Sequence, residues 1–405
     1  MKILFVSQYF YPEIFKGNEL VFDLVKRGHE VTVLTAKPNY PSGKFFEGYS
    51  FFGKKEEIIQ GARVIRTPVY PRKNGKGIHL MLNYLSFVFF SYFTCLFRVK
   101  GKFDVIFVQQ LSPATMALPG LWIKKRHNTP LYLWVLDLWP ESILAASNFK
   151  NSFVIKGIEN IVKKIYKNSD TILISSKYFE TSIRDKVVDK NKSIIYFPNW
   201  AENVFTNLPK KEIPTPDLPL GFNIMFAGNV GESQDFETIL SAAELTKTEN
   251  INWVIIGDGR KIDWIKSEIK ARNINNVYLL GRHSLESMPF FFKKADVMLV
   301  SLKDEPVFAL TVPAKVQAYM ASGKIILGSL NGEGKELINE SNCGFAVSAG
   351  DYKLLGQKAI ELKNLEEEKK QEMQYNSISY YEKNFSKQML FDKLEKLFTS
   401  NTTIK

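Results

Sequence analysis

Two segments of the second half carry residue types that bind and neutralise an anion. Phe226-Ala-Gly-Asn-Val-Gly-Glu-Ser-Gln-Asp-Phe-Glu-Thr-Ile-Leu240 reads as a buried strand, a glycine turn and a helix start. Thr311-Val-Pro-Ala-Lys315 reads as a turn into a helix with a lysine in its first turn, and Gly323 is its stop. Each places free backbone N–H groups at a helix N-terminus, where the helix dipole favours a negative group. Two such ends in one α/β unit suit a diphosphate, and hence a nucleotide derivative. No Asp-x-Asp, the motif that would hold a divalent cation against a diphosphate, occurs in the chain. We therefore expect no metal, with positive side chains in its place. A carboxylate stands where a reacting group could meet it. Residues 131–136 read as a strand that delivers Asp137-Leu-Trp-Pro-Glu141 to the edge where open α/β sheets bind ligands.

The positioning elements alternate strand and helix. Residues 2–7 and 30–35 read as buried parallel strands flanking a loop with Pro12, Gly17 and Asn18 and a helix at 19–27 that stops at Gly28. This opening is Rossmann-like but lacks G-x-G-x-x-G, so no dinucleotide cofactor is signalled. Further strands are expected at 62–69, 104–108, 171–175 and 193–197, and a helix at 153–168. A linker is expected at 208–220. The second half repeats the pattern, with strands at 222–227, 252–256, 277–280, 297–302 and 325–328. A charged helix at 362–374 and an amphipathic one at 386–398 end the chain.

At 405 residues, 45% of them hydrophobic and 24% charged, the chain is an ordinary globular composition long enough for two domains. We place them at 1–205 and 206–384, with a last helix at about 385–405 packing back on the first. The net charge of +12 favours an anionic partner. The basic residues are scattered and no nucleic-acid motif occurs, so nucleic acid is disfavoured. Two cysteines, Cys95 and Cys343, exclude a disulfide framework or zinc pattern and fit a reducing cytosol. Residues 1–10 do not read as a signal peptide. Residues 78–97 contain no Lys, Arg, Asp or Glu and are flanked by Arg72, Lys73, Lys76, Arg98, Lys100 and Lys102. That length could span a bilayer. A strand of the same sheet follows at once, however, and favours a helix packed on the sheet with part of its surface meeting lipid.

Several motifs in order and spacing resemble one family. They are Ser7-Gln-Tyr-Phe-Tyr-Pro-Glu13, Arg27-Gly-His-Glu-Val-Thr-Val-Leu-Thr35, Asn39-Tyr-Pro-Ser-Gly43, Asp137-Leu-Trp-Pro-Glu141, Pro198-Asn-Trp200, Gly228-Asn-Val-Gly231, Gly257-Asp-Gly259, Met288-Pro289 followed by Ala295-Asp296, and Pro313-x-Lys315 with Met320-Ala-x-Gly323. Over nearly its whole length the chain resembles the GT-B glycosyltransferases of family four. These are retaining enzymes of bacterial surface-polysaccharide synthesis. The resemblance implies two doubly wound Rossmann-like domains facing across a cleft. It implies a nucleotide-sugar donor, UDP-linked and a substrate rather than a cofactor, and a polyprenyl-diphosphate-linked acceptor in capsule or O-antigen assembly. A cytoplasmic enzyme, peripheral at the inner face of an anionic plasma membrane, follows from it.

The resemblance also assigns residues. Asn229, Gly231, Gln234, Gly257, Glu305 and Thr311 would bind the donor. Gly17 and Asn18 stand where relatives bring a glycine loop against its phosphate. Asp137 stands near the reacting sugar, where it would hold a hydroxyl or stabilise positive charge at the anomeric carbon. Asn39, Tyr40 and Glu141 would face the acceptor. The chain departs from the family at the Glu-x7-Glu motif, where Leu310 and Ala318 stand, and in the first glycine loop, where Asn229 and Gln234 replace Arg and Lys. The diphosphate then falls to Lys315 and Arg282, with Glu305 in place of the missing glutamates. A front-face reaction, in which the leaving phosphate helps deprotonate the acceptor, needs no general-base pair. Two rival readings remain. A UDP-sugar 2-epimerase shares the fold but needs acid–base side chains, and His29, His79, His127 and His283 form no such set. A non-catalytic sugar-nucleotide-binding partner subunit would explain the lost glutamates.

Overall fold

The computed structural model describes residues 1–146, 152–209 and 211–402. The chain divides into two compact units, Met1–Phe197 with Lys393–Lys405, and Pro198–Asp392. In the first unit the strands are β1 (Lys2–Val6), β2 (Glu30–Ala36), β3 (Glu56–Ile59), β4 (Ala62–Thr67), β5 (Val105–Gln110), β6 (Leu131–Val135), β7 (Thr171–Ile174) and β8 (Ser193–Tyr196). Their order is β3-β4-β2-β1-β5-β6-β7-β8, parallel except for β3. The second unit has β9 (Phe222–Ala227), β10 (Ile251–Ile256), β11 (Val277–Gly281), β12 (Val297–Ser301), β13 (Ile325–Ser329) and β14 (Gly344–Val347), in the order β11-β10-β9-β12-β13-β14. That sheet is wholly parallel. Strand order reverses at β1/β5 and at β9/β12, the points where open sheets leave a crevice. The central strands are buried throughout because helices cover both faces, so their sequences are continuous apolar runs.

Three elements differ from the sequence expectation. Gly17 and Asn18 are not in a loop: they lie in the first turn of the helix Lys16–Lys26 and are buried. A Cβ at Gly17 would lie 2.2 Å from Gln109 Oε1 and 2.7 Å from the Phe5 ring, so close packing of this helix on the sheet requires glycine there. The charged helix at 362–374 is two helices, Tyr352–Asn364 and Glu367–Asn384. The first packs through Leu355, Ala359 and Leu362, and the second buries only Met373, Ser377 and Tyr381, too few residues to set a visible period. Strands β3 and β14 went unexpected: one is an antiparallel edge strand with two charges, the other four residues beginning with glycine.

The helix Gly77–Phe97 is long and apolar enough to cross a membrane. It nevertheless connects β4 to β5 of one sheet, so it lies on the first unit. Its polarity is inverted. The face toward the protein holds Asn83, Phe87, Ser91, Thr94 and Cys95, and the exposed face holds Ile78, Met81, Leu85, Phe89, Tyr92, Phe93, Leu96 and Phe97. Asn83 is satisfied inside, accepting from Gln8 at 2.8 Å and donating to the Tyr70 carbonyl at 2.6 Å.

From Lys393 the final helix (Lys387–Thr402) belongs to the first unit. Phe398 packs on Phe107 and Tyr132, with ring centroids 6.1 and 5.0 Å away. Glu395 joins Arg27 (2.5 Å) and His29 (2.7 Å), which gives His29 a structural task. Burial pushes the Glu395 carboxyl up, but the hydrogen bonds from His29 and Arg27 outweigh it and hold it below the usual range. Its contribution is therefore present above the unfolded carboxylate pKa and lost as pH falls through the lower folded value. Phe398→Ala should cost about 3–5 kcal/mol and remove hydrogen-exchange protection from β5 and β6 while sparing β9–β13. Unchanged protection in β5 and β6 would show that the tail contributes nothing to the first unit.

Candidate functional site

In the second unit, loops at the ends of β9, β10 and β11 converge. Gly228, Asn229, Gly257, Asp258, Gly259, Arg282, His283 and Met288 line a cavity of about 460 Å³, together with Ile256. The loops are laced together: Gly228 N donates to Ile256 O, Val230 N to Asp258 O, both at 2.9 Å, and Gly257 N to Gly281 O at 2.8 Å. At Gly257 φ is +143°, and a Cβ would lie 1.8 Å from the Gly228 carbonyl oxygen, so only glycine fits. Gly231 N donates to Gln234 Oε1 at 3.1 Å. The amides of Gly228, Val230 and Gly231 are thus already committed. The helix Phe236–Leu245 starts only after a short 3-10 turn, Glu232–Gln234. The expected cradle of free N–H groups directly on this glycine turn is not what the chain forms, because the loop uses them to hold its neighbour.

Lys315 is different. It lies in the first turn of the helix Ala314–Ala321, with Nζ 3.5 Å from the centroid of the Phe226 ring. It runs against Gly228, where a Cβ would lie 2.7 Å from Lys315 Cε. Burial pushes its ammonium down to about 7, and among the described residues no carboxylate pairs with it. Arg282, also without an ion pair among the described residues, is exposed on the cavity wall. The structure therefore brings Asn229, Gly257 and Arg282 to one cavity, with Lys315 against its Gly228. Glu305 and Thr311 lie apart from its lining, on the stretch after β12. Glu305 is exposed and precedes the turn Pro306–Ala309, and Thr311 Oγ1 donates to Phe308 O at 3.2 Å. Asp258, His283 and Met288 line the cavity without having been singled out. Asp258 lay within the quoted Gly-Asp-Gly and Met288 within the quoted Met-Pro pair, and His283 carried no pattern.

In the first unit the loops after β1, β2, β4, β5 and β6 meet at one sheet edge. Asp137 Oδ2 accepts from Ser112 Oγ at 2.9 Å, and Trp139 Nε1 donates to the same Oγ at 3.0 Å. Burial raises the Asp137 carboxyl, and the Ser112 hydrogen bonds oppose that. Tyr9 donates to Ser112 O (3.2 Å) and receives Arg72 Nη1 (3.0 Å). Arg72 lies over the Tyr40 and Tyr9 rings, 5.0 and 5.8 Å from their centroids. Tyr9, Arg72, Tyr84 and Ser112 were not among the candidates. Tyr9 sat in a quoted motif, and Arg72 was noted only as a flanking charge.

Other candidates here have internal tasks. Glu13, 2% exposed, accepts from Asn39 N and Tyr40 N at 2.7 Å and from Phe10 N at 3.3 Å. Burial lifts its carboxyl to about 7, against those three amides. Asn18 donates to Glu13 O (2.6 Å) and accepts from Tyr11 N (3.1 Å). The Asn39 amide is buried between Lys37 O, Arg72 N and Asn83. Glu141 is held by Ser182 and Lys186. Tyr40 is part-exposed beside Arg72. Gly17 faces the sheet.

Residues 221–380 match the family described as "Glycosyl transferases group 1". Residues 18–200 match "Glycosyl transferase 4-like domain". WcaI of Escherichia coli K12, named for glycosyl transfer in colanic acid biosynthesis, is 27% identical over 80% of this chain and 82% of its own. WbjE of Pseudomonas aeruginosa, named as a glycosyltransferase, is 30% identical over 54% of this chain and 57% of its own. Among solved structures, sucrose-phosphate synthase of Thermosynechococcus elongatus has a TM-score of 0.71 at 15% identity, covering 100% of both chains. Anabaena HepE, solved with UDP and glucose, has a TM-score of 0.65 at 12% identity over 99% of this chain and 100% of its own. With one matched domain type in each unit and this fold throughout, the chain belongs to the GT-B glycosyltransferases of the family-four type.

Proposed function

We propose that this enzyme moves a sugar, with retention, from a UDP-linked donor to a lipid-linked saccharide during surface-polysaccharide synthesis, without a metal. The observation that carries the donor half is Lys315: a desolvated ammonium beside the glycine loops, stacked on a ring, with no carboxylate to pair with among the described residues. A diphosphate is the anion that fits such a cation next to a cavity of nucleotide size. Arg282 supplies a second positive group for the leaving diphosphate, and Asn229, Gly231, Gln234 and Gly257 shape the donor loop. Glu305 and Thr311 remain assigned to the donor on the family pattern alone. Asp137 is assigned to the reacting sugar on the family pattern alone. The solved complex of HepE with UDP and glucose and the colanic acid name of WcaI support the donor and pathway class.

We place the enzyme at the inner face of the plasma membrane, bound through the exposed apolar face of the Gly77–Phe97 helix. Lys73, Lys76, Lys100 and Lys102 flank it. Apolar insertion together with attraction to anionic headgroups is how an interfacial helix binds.

Calorimetry with UDP, GDP, ADP and dTDP in EDTA tests the donor half. UDP should bind selectively, and Lys315→Ala should weaken it roughly tenfold to a hundredfold, as for a lost charge-assisted contact. No nucleotide binding at all would remove the donor reading and favour a partner-subunit role. The pH dependence has a fixed sign. Lys315 titrates near 7 when free, and a bound diphosphate needs it charged. UDP affinity should therefore fall as pH rises above about 7, with proton uptake on binding. Without ligand, the unfolded chain holds this proton up to the ordinary value of 10.5. The stability difference between wild type and Lys315→Met should therefore shift in the wild type's favour across that window. Affinity independent of pH would exclude Lys315 as the anchor.

For the membrane, Leu85→Glu with Phe89→Glu changes residues 57% and 59% exposed and so should leave folding intact. We expect sedimentation with vesicles of 30 mol% (roughly, an anionic inner-leaflet level) phosphatidylglycerol to weaken at least tenfold. Equal sedimentation would exclude this face.

A further inference from the structure

The first unit holds a second cation that the donor reading leaves without a task. The Arg72 guanidinium is oriented by the Tyr9 hydroxyl at 3.0 Å and laid over the Tyr40 and Tyr9 rings. Among the described residues no carboxylate pairs with it, although acidic side chains elsewhere in this unit are taken up by Arg63, Arg66 and Lys186. A guanidinium fixed in plane with donors left over is suited to a phosphate or diphosphate oxygen pair.

Its surroundings give the rest of the ligand. The Tyr84 phenol hydrogen-bonds with Tyr9 and feels both the Arg72 and the Asp137 charge. Burial raises its pKa, the guanidinium lowers it, and the Asp137 carboxylate raises it again. Tyr84 also packs edge-on against Trp139, at 6.5 Å between centroids. The row Arg72, Tyr9, Tyr84, Ser112, Asp137 thus runs from a cation, across aromatic faces, to a carboxylate that can accept from a sugar hydroxyl. The topology then adds an apolar track. β4 is parallel to β2, so its C-terminal end lies on the same sheet edge as Asp137. The chain leaves β4 through Arg72 and enters the helix Gly77–Phe97 at that edge. The exposed Ile78, Met81, Leu82 and Leu85 of its first turns therefore start from that same edge, and Tyr84 in the same turns packs against Trp139.

We propose that Arg72 is the anion anchor of a two-part acceptor site, with the saccharide reaching toward Asp137 and an isoprenoid chain leaving along the first turns of the Gly77–Phe97 helix. This deepens the proposed function and rests on the acceptor being lipid-linked. It makes Arg72 a specificity determinant for an isoprenoid phosphate ester over a free sugar or a free phosphate.

The test uses the full chain with saturating UDP, so that the donor's diphosphate site is occupied. Farnesyl diphosphate is the probe, with inorganic diphosphate and farnesol as its separate halves. Titrating UDP alone reports the donor reading independently, so its failure is distinguishable. Farnesyl diphosphate should bind more tightly than either half. Arg72→Gln should weaken it tenfold or more, Arg72→Lys should keep part of the affinity, and Lys315→Ala should leave it unchanged under saturating UDP. Tyr84→Phe, which keeps the ring, serves as a fold control and should weaken binding far less than Arg72→Gln. Equal affinity in Arg72→Gln and wild type would overturn the anchor. Inorganic diphosphate binding as tightly as farnesyl diphosphate would overturn the apolar half.

Discussion

A charge withdrawn from water is tolerated only where something fixed compensates it, and Glu13 in the first unit and Lys315 in the second are two such charges near the C-terminal edges of their sheets. The two are compensated in opposite ways. Glu13 is surrounded by three backbone amides from two loops, donors that cannot move without unfolding them. Lys315 has a ring face and a glycine loop. A cation over a ring gains on the order of 2 kcal/mol when desolvated, less than a charge-assisted hydrogen bond network supplies. The first charge therefore organises structure. The second favours an incoming anion, since a ligand can supply what the protein does not.

The same contrast orders the other candidate residues. Asn18 and Asn39 have their amide groups turned to protein partners, and Glu141 Oε1 is taken up by Ser182 and Lys186. Asn18 braces the loop after β1, Asn39 ties the loop after β2 to Arg72 and Asn83, and Glu141 ties the segment after β6 to the helix Phe179–Lys186. Arg72, Arg282 and Lys315 are positive groups without carboxylate partners among the described residues, although the chain carries 42 acidic residues. Part-exposed lysines elsewhere do pair, as Lys261 and Lys303 do with Glu232. Cations left over in such company are a better guide to ligand chemistry than motif membership alone.

Most of the architecture was legible in the sequence because parallel strands buried on both faces cannot avoid being continuous apolar runs. Phe222–Ala227 and Ile325–Ser329 are of that kind. Elements whose stability comes from elsewhere were not legible. β3 exists because β4 offers it an edge, and Glu367–Asn384 because its few apolar residues find the second unit's core. In the sites, glycines and charges could be read as candidates, but not which of them were already satisfied. Gly17 shows the limit: its residue type announced close approach, and only three dimensions reveal that the approach is to Gln109 and Phe5. Arg72 shows the converse, since a flanking basic residue has no pattern until Tyr9 and Tyr40 are folded beneath it.

The Gly77–Phe97 helix follows from topology more than from hydropathy. A segment of its length and composition would cross a bilayer if its ends were free to lie on opposite sides. They are not, because β4 and β5 belong to one sheet whose strands β1 and β2 lie between them. The crossover must therefore return over that sheet, and the polar stripe of Asn83, Ser91 and Thr94 is what it turns inward. A soluble crossover helix would bury its apolar stripe there instead. Facing the apolar residues outward forgoes on the order of 25 cal/mol per Å² of exposed apolar area, which covering that face by an apolar surface would recover. The sheet edge that carries Asp137 and the first turn of this helix are joined by ten residues of chain or fewer, from Thr67 to Gly77. The same crossover connection also places Tyr84 of this helix edge-on against Trp139 of the Asp137 segment, so the orientation of the helix and the packing of that segment are set together.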